Sequence, residues 1–289
     1  MKEDVKSFTV RKNGNVSVKF TNFCKANRNA PLHVKLDVLD KCARASLIYA
    51  CETWGANIND VERCYRAGLK TALNVRQNLN NEIVHIESGK MPLEARIKSL
   101  QLKFWLQMKE YVAKNPHSAL AKVYSMGLTA NSSYLKHYQR LERFYADPKA
   151  CEESIEKAAM NSYQEKVRTK HRNDIDSKLG TYLRINPNLQ CHVPKPQTTM
   201  EFERELVTRF RTGSHSLAIE TGRYSNIPRE NRLCSCGGNV QTVWHVFSEC
   251  PITRTIVPAE YGDLKEAFED ENLPSTLLKM AKKLKIQIW

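Results

Sequence analysis

The sequence predicts a mainly all-α fold in two parts. Apolar residues recur every three to four positions through most of the 289 residues, and this spacing places them on one face of a helix. Proline, glycine and capping residues stand at the ends of these periodic segments, as they do around helices. One short stretch, residues 15–20, alternates apolar and polar residues instead, which suits a strand or the start of a helix.

The first long helix is predicted over residues 31–53. Pro31 stands in its first turn, where the missing N–H of proline is tolerated, and Gly55 breaks the pattern. Asn59 or Asp60 can cap the next helix, because short polar side chains accept hydrogen bonds from the free N–H groups of a first turn. These elements follow one another with short connections.

Residues 76–91 are predicted as a polar loop in which a short helix can form. Pro92 then begins a third clear helix, with one apolar face that runs for several turns. The Asn115-Pro116 pair ends this helix, since a residue that precedes proline avoids helical backbone.

From residue 117 to about 178 the pattern stays helical but carries more charge. Breaks are expected near Gly127 and at Asp147-Pro148. The Phe-Tyr-Ala-Asp-Pro stretch around that second break resembles a polymerase signature only superficially, because proline occupies its second acidic position. The Pro-rich span 186–199 is the best linker in the chain.

Residues 200–289 form the second predicted part. Thr198 or Thr199 caps its first helix, and Gly213 follows that helix. A final helix from Pro274 is basic and amphipathic. We expect it to pack on its own domain, although a partner helix or a membrane surface would also suit it.

The net charge of +14 is distributed unevenly along the chain. Residues 1–199 hold 33 Lys and Arg against 19 Asp and Glu, whereas residues 200–289 hold 12 of each. A basic surface favours polyanions, because each neutralised phosphate releases condensed counterions. Solvated lysine-rich faces that bind nothing are the alternative at this point. The start of the chain has no signal-peptide pattern and no apolar run long enough to cross a membrane, so we expect an intracellular protein of the nucleus or cytoplasm without membrane partners.

Three of the nine cysteines cluster near one histidine. Zinc takes four sulfur or nitrogen ligands in a tetrahedron, and two ligands from a tight glycine turn with two from a helical turn would meet that need. The C-x-C spacing is tighter than the usual gap, and reduced thiols beside a core histidine are the alternative. With no open position, such a zinc site would be structural. Its ligands would be Cys234, Cys236, His245 and Cys250. The remaining cysteines are expected to be small buried hydrophobic residues, namely Cys24, Cys42, Cys51, Cys64, Cys151 and Cys191.

A second candidate site begins at a predicted helix boundary. Ser, Thr, Gly and Arg at such a boundary suit a phosphate, although on these residues alone an ordinary capped helix end is the favoured reading. The candidate nucleic-acid contacts are Arg211, Thr212, Ser214, His215, Arg223, Arg229 and Arg232. Polymerase chemistry requires paired metal-binding carboxylates, and the sequence contains no Asp-Asp pair. We therefore predict no catalytic residue.

Three segments together resemble the reverse transcriptases of non-LTR (LINE-like) retrotransposons. Residues 29–35 leading to 47–54 resemble the stretch after the palm, and residues 86–105 resemble its continuation. Residues 211–215, then 227–230, then the Cys/Cys/His/Cys cluster resemble the C-terminal zinc-knuckle region. The resemblance implies the end of a palm over 1–30, thumb-like helices over 31–125, a connector and linker over 126–199, and a C-terminal helical domain with a zinc knuckle at 234–250.

The expected function is therefore binding of RNA or of an RNA–DNA duplex, with little sequence specificity, by a reverse-transcriptase-like segment without polymerase aspartates. Three other readings stay open. The chain could be part of a longer, active reverse transcriptase, so whether an enzyme is involved is undecided. It could instead be a co-opted helical module that binds another protein, in which the zinc site only stabilises the fold, or a decayed element with no selected role.

Overall fold

The computed structural model describes residues 2–54, 58–144, 151–172, 177–192, 200–258 and 261–286. These residues are mainly α-helical, as predicted, and their only β-pairing is an isolated bridge between Leu233 and Val240. No helix among them is both long enough and apolar enough to cross a bilayer. The contacts divide the chain into two units, each built from separated segments. Unit 1 comprises Met1–Asn22, Val38–Gly68 and Lys90–Tyr163, and unit 2 comprises Phe23–Asp37, Leu69–Gly89 and Gln164–Trp289.

The described residues before 118 contain seven α-helices and one π-helical turn. They are α1 (Lys2–Ala26), α2 (Leu32–Val38), a π-helical turn (Leu39–Arg44), α3 (Ala45–Leu47), α4 (Cys51–Trp54), α5 (Ile58–Leu73), α6 (Asn81–Ser88) and α7 (Leu93–Lys114). The alternating stretch 15–20 is part of α1, so the strand alternative was wrong. The predicted helix 31–53 does begin after Pro31, but it is interrupted by the π-helical turn and by Ala50, whose φ of +55° lies in the left-handed region.

The predicted helix ends are confirmed at some positions and wrong at others. Asn80 caps α6 by accepting hydrogen bonds from two backbone N–H groups of its first turn, and Gly89 ends it at φ +63°. Pro92 and Asn115 bound α7 as expected. Asn59 and Asp60 do not cap α5, because they lie within its first turn. Gly55 lies outside the described residues.

From residue 119 onward, the part of the chain that the structure describes contains eight more α-helices, with short 3₁₀ and π turns between them. They are α8 (Ala119–Thr129), α9 (Ser133–Phe144), α10 (Cys151–Arg172), α11 (Lys178–Ile185), α12 (Glu201–Arg211), α13 (Ala218–Tyr224), α14 (Leu264–Glu269) and α15 (Leu273–Leu284). The last helix agrees with the prediction. Three other predicted positions, Asp147-Pro148, Thr198 and Thr199, lie outside the described residues, and the described part of the predicted linker, 186–192, contains no helix.

Gly127 does not break α8. A Cβ atom there would come within 2.8 Å of Leu135 Cδ1, so the glycine allows close packing of α9 rather than a turn. The break comes three residues later, between Ala130 and Ser132. The predicted break near Gly127 is therefore confirmed, but the glycine does not cause it, because a glycine inside a helix costs only about 1 kcal/mol and packing can offset that cost.

The core of unit 1 forms around α7. Trp105 stacks on Tyr138 of α9 with ring centroids 5.5 Å apart, and its indole N–H donates to Glu142 over 2.7 Å. Gln101, which is fully buried, donates to the backbone carbonyl of Cys51. Stacked aromatic rings with satisfied polar atoms stabilise such a core beyond the area they bury. Helices α7 and α9 are therefore held firmly together.

The core of unit 2 is formed by side chains of α11, α12, α14 and α15 and of the cysteine-rich segment between α13 and α14. Two buried charge clusters accompany it. Arg211 makes three hydrogen bonds of 3.0–3.1 Å with the Glu87 carboxylate, while Lys35 and Arg204 pair with Glu201 and Glu205, the closest contact being 2.9 Å. Buried charges are tolerated only when they are paired in this way.

Candidate metal centre

A short turn brings the first two predicted ligands together. The backbone N–H of Cys234 donates to the carbonyl of Asn239 over 2.8 Å, and the N–H of Gly237 donates to the carbonyl of Cys234 over 2.9 Å. Gly237 has φ +75°, a conformation that favours glycine. The isolated bridge between Leu233 and Val240 closes the base of this turn. The turn places the sulfur atoms of Cys234 and Cys236 on the same side.

The other two predicted ligands come from a π-helical turn, His245–Glu249. The N–H of Cys250 donates to the carbonyl of His245 over 2.8 Å, so the two residues are bonded across five positions rather than four. Thr242 caps the turn by accepting from the N–H of His245 over 3.0 Å. Pro251 follows directly, as predicted for the end of the helical turn. The interval between His245 and Cys250 is thus fixed by a wide turn.

The four side chains converge on one point. Their ligand atoms all lie within 4.8 Å of one another. The sulfur atoms of Cys234 and Cys250 are 3.6 Å apart, and the sulfur of Cys236 is 3.3 Å from Nε2 of His245. Ligands about 2.0–2.3 Å from a tetrahedral metal ion are separated by roughly 3.3–3.8 Å. The cluster can therefore hold a metal ion, and the prediction of these four residues as one group is confirmed.

Glu249 orients the histidine and was not predicted. Its carboxylate lies 3.2 Å from Nδ1 of His245, which leaves Nε2 to face the sulfur atoms. The same carboxylate accepts from the indole N–H of Trp244 over 2.9 Å and from Asn239 over 3.3 Å. The hydrogen bond from His245 holds the pKa of Glu249 below its usual range. Metal-bound histidines commonly donate their second N–H to a carboxylate in this way. The signal in the sequence was the acidic residue four positions after the histidine.

Hydrogen bonds also reach the sulfur atoms. The backbone N–H of Gly238 lies 3.4 Å from the Cys236 sulfur and lowers the pKa of that thiol to about 6. Burial raises the pKa of the Cys234 thiol to about 11, and Nε2 of Gln241 lies 3.8 Å from its sulfur. Since a metal ligand must be a thiolate, the more exposed Cys236 is the easier of the two to ionise.

The predicted nucleic-acid residues are not gathered at one surface. Arg211, Thr212 and His215 are buried within unit 2: Arg211 binds Glu87, the hydroxyl of Thr212 donates to the carbonyl of Thr208, and His215 accepts from the N–H of Leu217. These three side chains therefore serve the interior of the unit. This agrees with the ordinary helix boundary that was the alternative reading of the motif.

The remaining four residues differ in exposure. Arg223 is 46% exposed and pairs with Glu220 over 3.4 Å, and Arg229 is exposed. Arg232 donates to the backbone carbonyls of Ile219 and Ile227 over 2.9 and 2.8 Å, so it stabilises the loop. Ser214 is buried but lines a cleft.

The other cysteines are less uniform than predicted. Cys24 and Cys51 are buried and Cys64 is half-buried, but Cys42 and Cys191 are exposed. Cys151 has no described side chain. None of the eight described cysteines forms a disulfide.

Comparison with protein-family models, with curated proteins and with solved structures finds no match to this chain.

Proposed function

We propose that the chain binds RNA or an RNA–DNA duplex through its phosphate backbone, with little sequence specificity, and that the basic surface of helices α7–α9 makes the main contacts. The observation that carries this proposal is the charge of residues 93–144. They contain nine Lys and Arg but only three Glu. Each of the three glutamates pairs with a lysine of the same segment, over 2.6–2.7 Å.

Five further cations of this segment are exposed, and the described residues show no ion pair for any of them. They are Lys103, Lys122, Lys136, Arg140 and Arg143. The last three stand on α9 at intervals of four and three residues, the spacing that aligns side chains on one helix face. A row of unpaired cations on a helix that is packed firmly against α7 suits a regular polyanion, because each contact with a phosphate releases counterions.

We propose that the metal of the cysteine cluster is zinc. Three thiolates and one imidazole are a ligand set typical of structural zinc. The site has four protein ligands and leaves no position for a reacting water, so zinc would stabilise the fold of unit 2 rather than supply chemistry. Binding energy at such a site is also folding energy.

We further propose that the chain corresponds to the C-terminal part of a non-LTR retrotransposon reverse transcriptase. Two observations support this proposal: the resemblance of its three segments to that family, and the Cys/Cys/His/Cys cluster, whose ligand atoms lie close enough to hold a metal ion. The sequence has no Asp-Asp pair, so the proposed activity of these residues is binding rather than polymerisation. An in-frame reading upstream of Met1 that encodes a palm with paired aspartates would support the longer enzyme. Unrelated upstream sequence would contradict the longer enzyme.

The binding proposal is tested by titrating labelled duplex RNA at several salt concentrations. The variant Lys136→Gln/Arg140→Gln/Arg143→Gln removes the row on α9. We expect the slope of log affinity against log salt to fall in magnitude by roughly 2–3, at about 0.9 for each lost phosphate contact. The matched control, Lys279→Gln/Lys282→Gln/Lys283→Gln, removes three exposed cations from α15.

Equal losses in the two triple variants would show that net charge, and not the α9 surface, determines binding. If the wild-type chain ignored RNA and duplex even in dilute buffer, the proposal would be wrong. If the chain bound no nucleic acid but retained a protein partner after nuclease treatment, the co-opted interaction module would be favoured.

A further inference from the structure

A polar cleft in unit 2 has a volume of about 560 Å³. Three cations line it, each from a different part of the sequence: Arg76, Arg209 and Lys285. Ser214, Ser216 and Gln241 add hydroxyl and amide groups, and the described residues that line the cleft include no Asp or Glu. A cavity with three positive charges and no acidic neighbour in its wall is suited to an anion.

Arg76 is held in place but incompletely hydrogen-bonded. Its guanidinium carbon lies 4.8 Å above the centre of the Tyr224 ring, and its backbone N–H donates to the hydroxyl of Ser214 over 3.4 Å. Nη1 of Arg76 is inaccessible to solvent and has no hydrogen-bond partner in the described part of the protein. A buried donor on a charged group costs free energy when it is left unsatisfied. Arg76 nevertheless lines the cleft, so a ligand there would meet other atoms of this side chain.

The neighbouring cations repel one another. Nε of Arg209 donates to the backbone carbonyl of Asn74 over 2.9 Å, which fixes the guanidinium at the cleft. Burial lowers the pKa of Arg209, and the positive charges of Arg76 and Arg28 lower it further, against an opposing effect of Glu205. Lys285 is exposed and stands at the C-terminal end of α15. A bound anion would offset the repulsion between these groups.

The cleft shares one side chain with the metal centre. Oε1 of Gln241 accepts from the N–H of Ala218 over 2.7 Å in the cleft wall. Nε2 of the same side chain lies 3.8 Å from the sulfur of Cys234. The side chain of Gln241 therefore contacts both the cysteine cluster and the wall of the cleft.

We propose that this cleft binds the phosphate group of a nucleotide unit, with Arg76 and Arg209 as its guanidinium donors and Lys285 as a third cation. Arginine forks match the oxygen geometry of phosphate. The volume lies within the range of small-molecule sites, about 300–1,000 Å³, and exceeds what phosphate alone requires, so a sugar and base fit beside it. This inference rests on the proposed function. It assigns to unit 2 one local contact with the nucleic acid, while the surface of α7–α9 makes the main contacts.

The test uses the metal-loaded full chain and small probes, measured by calorimetry. Uridine and adenosine 5′-monophosphates are the main probes, and inorganic phosphate, the two nucleosides and an acidic peptide are the comparisons. We expect the monophosphates to bind more tightly than each comparison. Arg76→Gln should weaken them about tenfold or more, since a hydrogen bond to a charged group contributes about 1.5–3 kcal/mol.

Lys285→Gln provides a second variant that does not depend on a buried residue, and it should also weaken the monophosphates. Lys283→Gln, two residues away and exposed, is the matched control and should leave their affinity unchanged. Equal affinity for nucleoside and monophosphate, for inorganic phosphate and monophosphate, or for the acidic peptide and monophosphate would each overturn the assignment. Binding that is insensitive to both cleft variants would also overturn it.

The two proposals fail in different ways. If the chain bound duplex RNA through α9 but no monophosphate, the cleft assignment alone would be wrong. If monophosphates bound and long RNA did not, the function proposed for α7–α9 would be wrong and the cleft would be a nucleotide site of a different kind.

Discussion

At the scale of single residues, Glu249 illustrates how an exposed carboxylate can act on a buried ligand. It is 44% exposed, yet it holds Nδ1 of His245 and so determines which nitrogen faces the three thiols. The four ligands could be predicted because three cysteines and one histidine cluster within 17 residues, although the tight C-x-C spacing left reduced thiols beside a core histidine as an alternative. Glu249 could not be singled out, since a glutamate at this interval from a histidine is common on any helix.

The first prediction concerns that carboxylate. Glu249→Gln should weaken metal binding about 10- to 100-fold, the usual effect of removing the partner of a ligating histidine. Competition with a coloured chelator measures the affinity. Glu269→Gln, on the exposed face of α14 and 65% exposed, is the control. If the two variants bound metal equally well, Glu249 would have no role in orienting His245.

The second prediction concerns His215 and pH. Burial, with Lys178 and Arg76 nearby, lowers the pKa of His215 to about 3, below the value of about 6.5 in an unfolded chain. Between these values the unfolded state binds a proton that the folded state does not, so stability falls as the pH drops below about 6.5. The loss should approach roughly 1.4 kcal/mol per pH unit.

Urea unfolding at pH 7 and pH 5 measures this loss. His215→Asn keeps an acceptor for the N–H of Leu217 and should show a smaller decline between the two pH values, even if it is less stable at both. His117→Asn replaces an exposed histidine and should decline as the wild type does. If the free energy of unfolding fell equally between pH 7 and pH 5 in all three proteins, His215 would not be the source of the pH dependence.

At the scale of secondary-structure elements, the sequence predicted which segments are helical better than it predicted where they stop. Pro31, Pro92 and the Asn115-Pro116 pair act locally, and the helix ends they mark are correct. Neither the left-handed backbone of Ala50 nor the close packing of Leu135 against Gly127 has such a local signal. The same holds for the motif at 211–215, because its Arg211 forms an ion pair with Glu87, which lies 124 positions away in the sequence. Such long-range pairing has no local signature.

The third prediction concerns the cap of α6. Asn80 accepts from the N–H groups of Glu82 and Ile83 over 2.9 and 3.3 Å. Asn80→Ala should lower the free energy of unfolding by about 0.5–2 kcal/mol, the cost of losing such a cap. Asn80→Asp keeps the acceptor and should retain most of the stability. Chemical denaturation measures both, and a loss of the same size in both variants would argue that the amide, rather than the cap, matters.

At the scale of the whole molecule, the proposed contact surface and the metal centre are divided between the units. The unpaired cations of α7–α9 belong to unit 1, and the cysteine cluster with its surrounding core belongs to unit 2. Composition did not indicate this division, because the charge excess ends near residue 199 whereas the last segment of unit 2 begins at Gln164. Unit 2 holds 24 Lys and Arg against 18 Asp and Glu, so it is itself basic. Composition also could not indicate that Phe23–Asp37 and Leu69–Gly89 join residues 164–289, where ion pairs such as Lys35 with Glu201 stabilise the arrangement.

The fourth prediction concerns removal of the metal. A chelator should reduce hydrogen-exchange protection in the cysteine-rich segment and in α12 and α15, because Cys234 and Cys250 are part of the core that these helices share. Protection of α7 and α9 should persist. Mass spectrometry after exchange resolves the segments.

Two serine variants serve as controls for this experiment. Cys234→Ser should reproduce the effect of the chelator, while Cys191→Ser, at an exposed cysteine outside the cluster, should retain both metal and protection. Protection that is equal with and without metal would show that the cluster is not required for the fold of unit 2.

The wide turn between His245 and Cys250 makes the length of that gap a constraint in its own right. An α-helical turn would pair the carbonyl of His245 with the N–H of residue 249, whereas here residue 250 takes it. Deleting the exposed Ser248 would place the cysteine four residues after His245 instead of five. An ordinary α-helical turn could then form, and the thiol would point in a different direction relative to the imidazole. Many substitutions at Ser248 should be harmless, and a one-residue deletion should not. The number of residues between the two ligands is therefore a requirement for metal binding in addition to the carboxylate of Glu249.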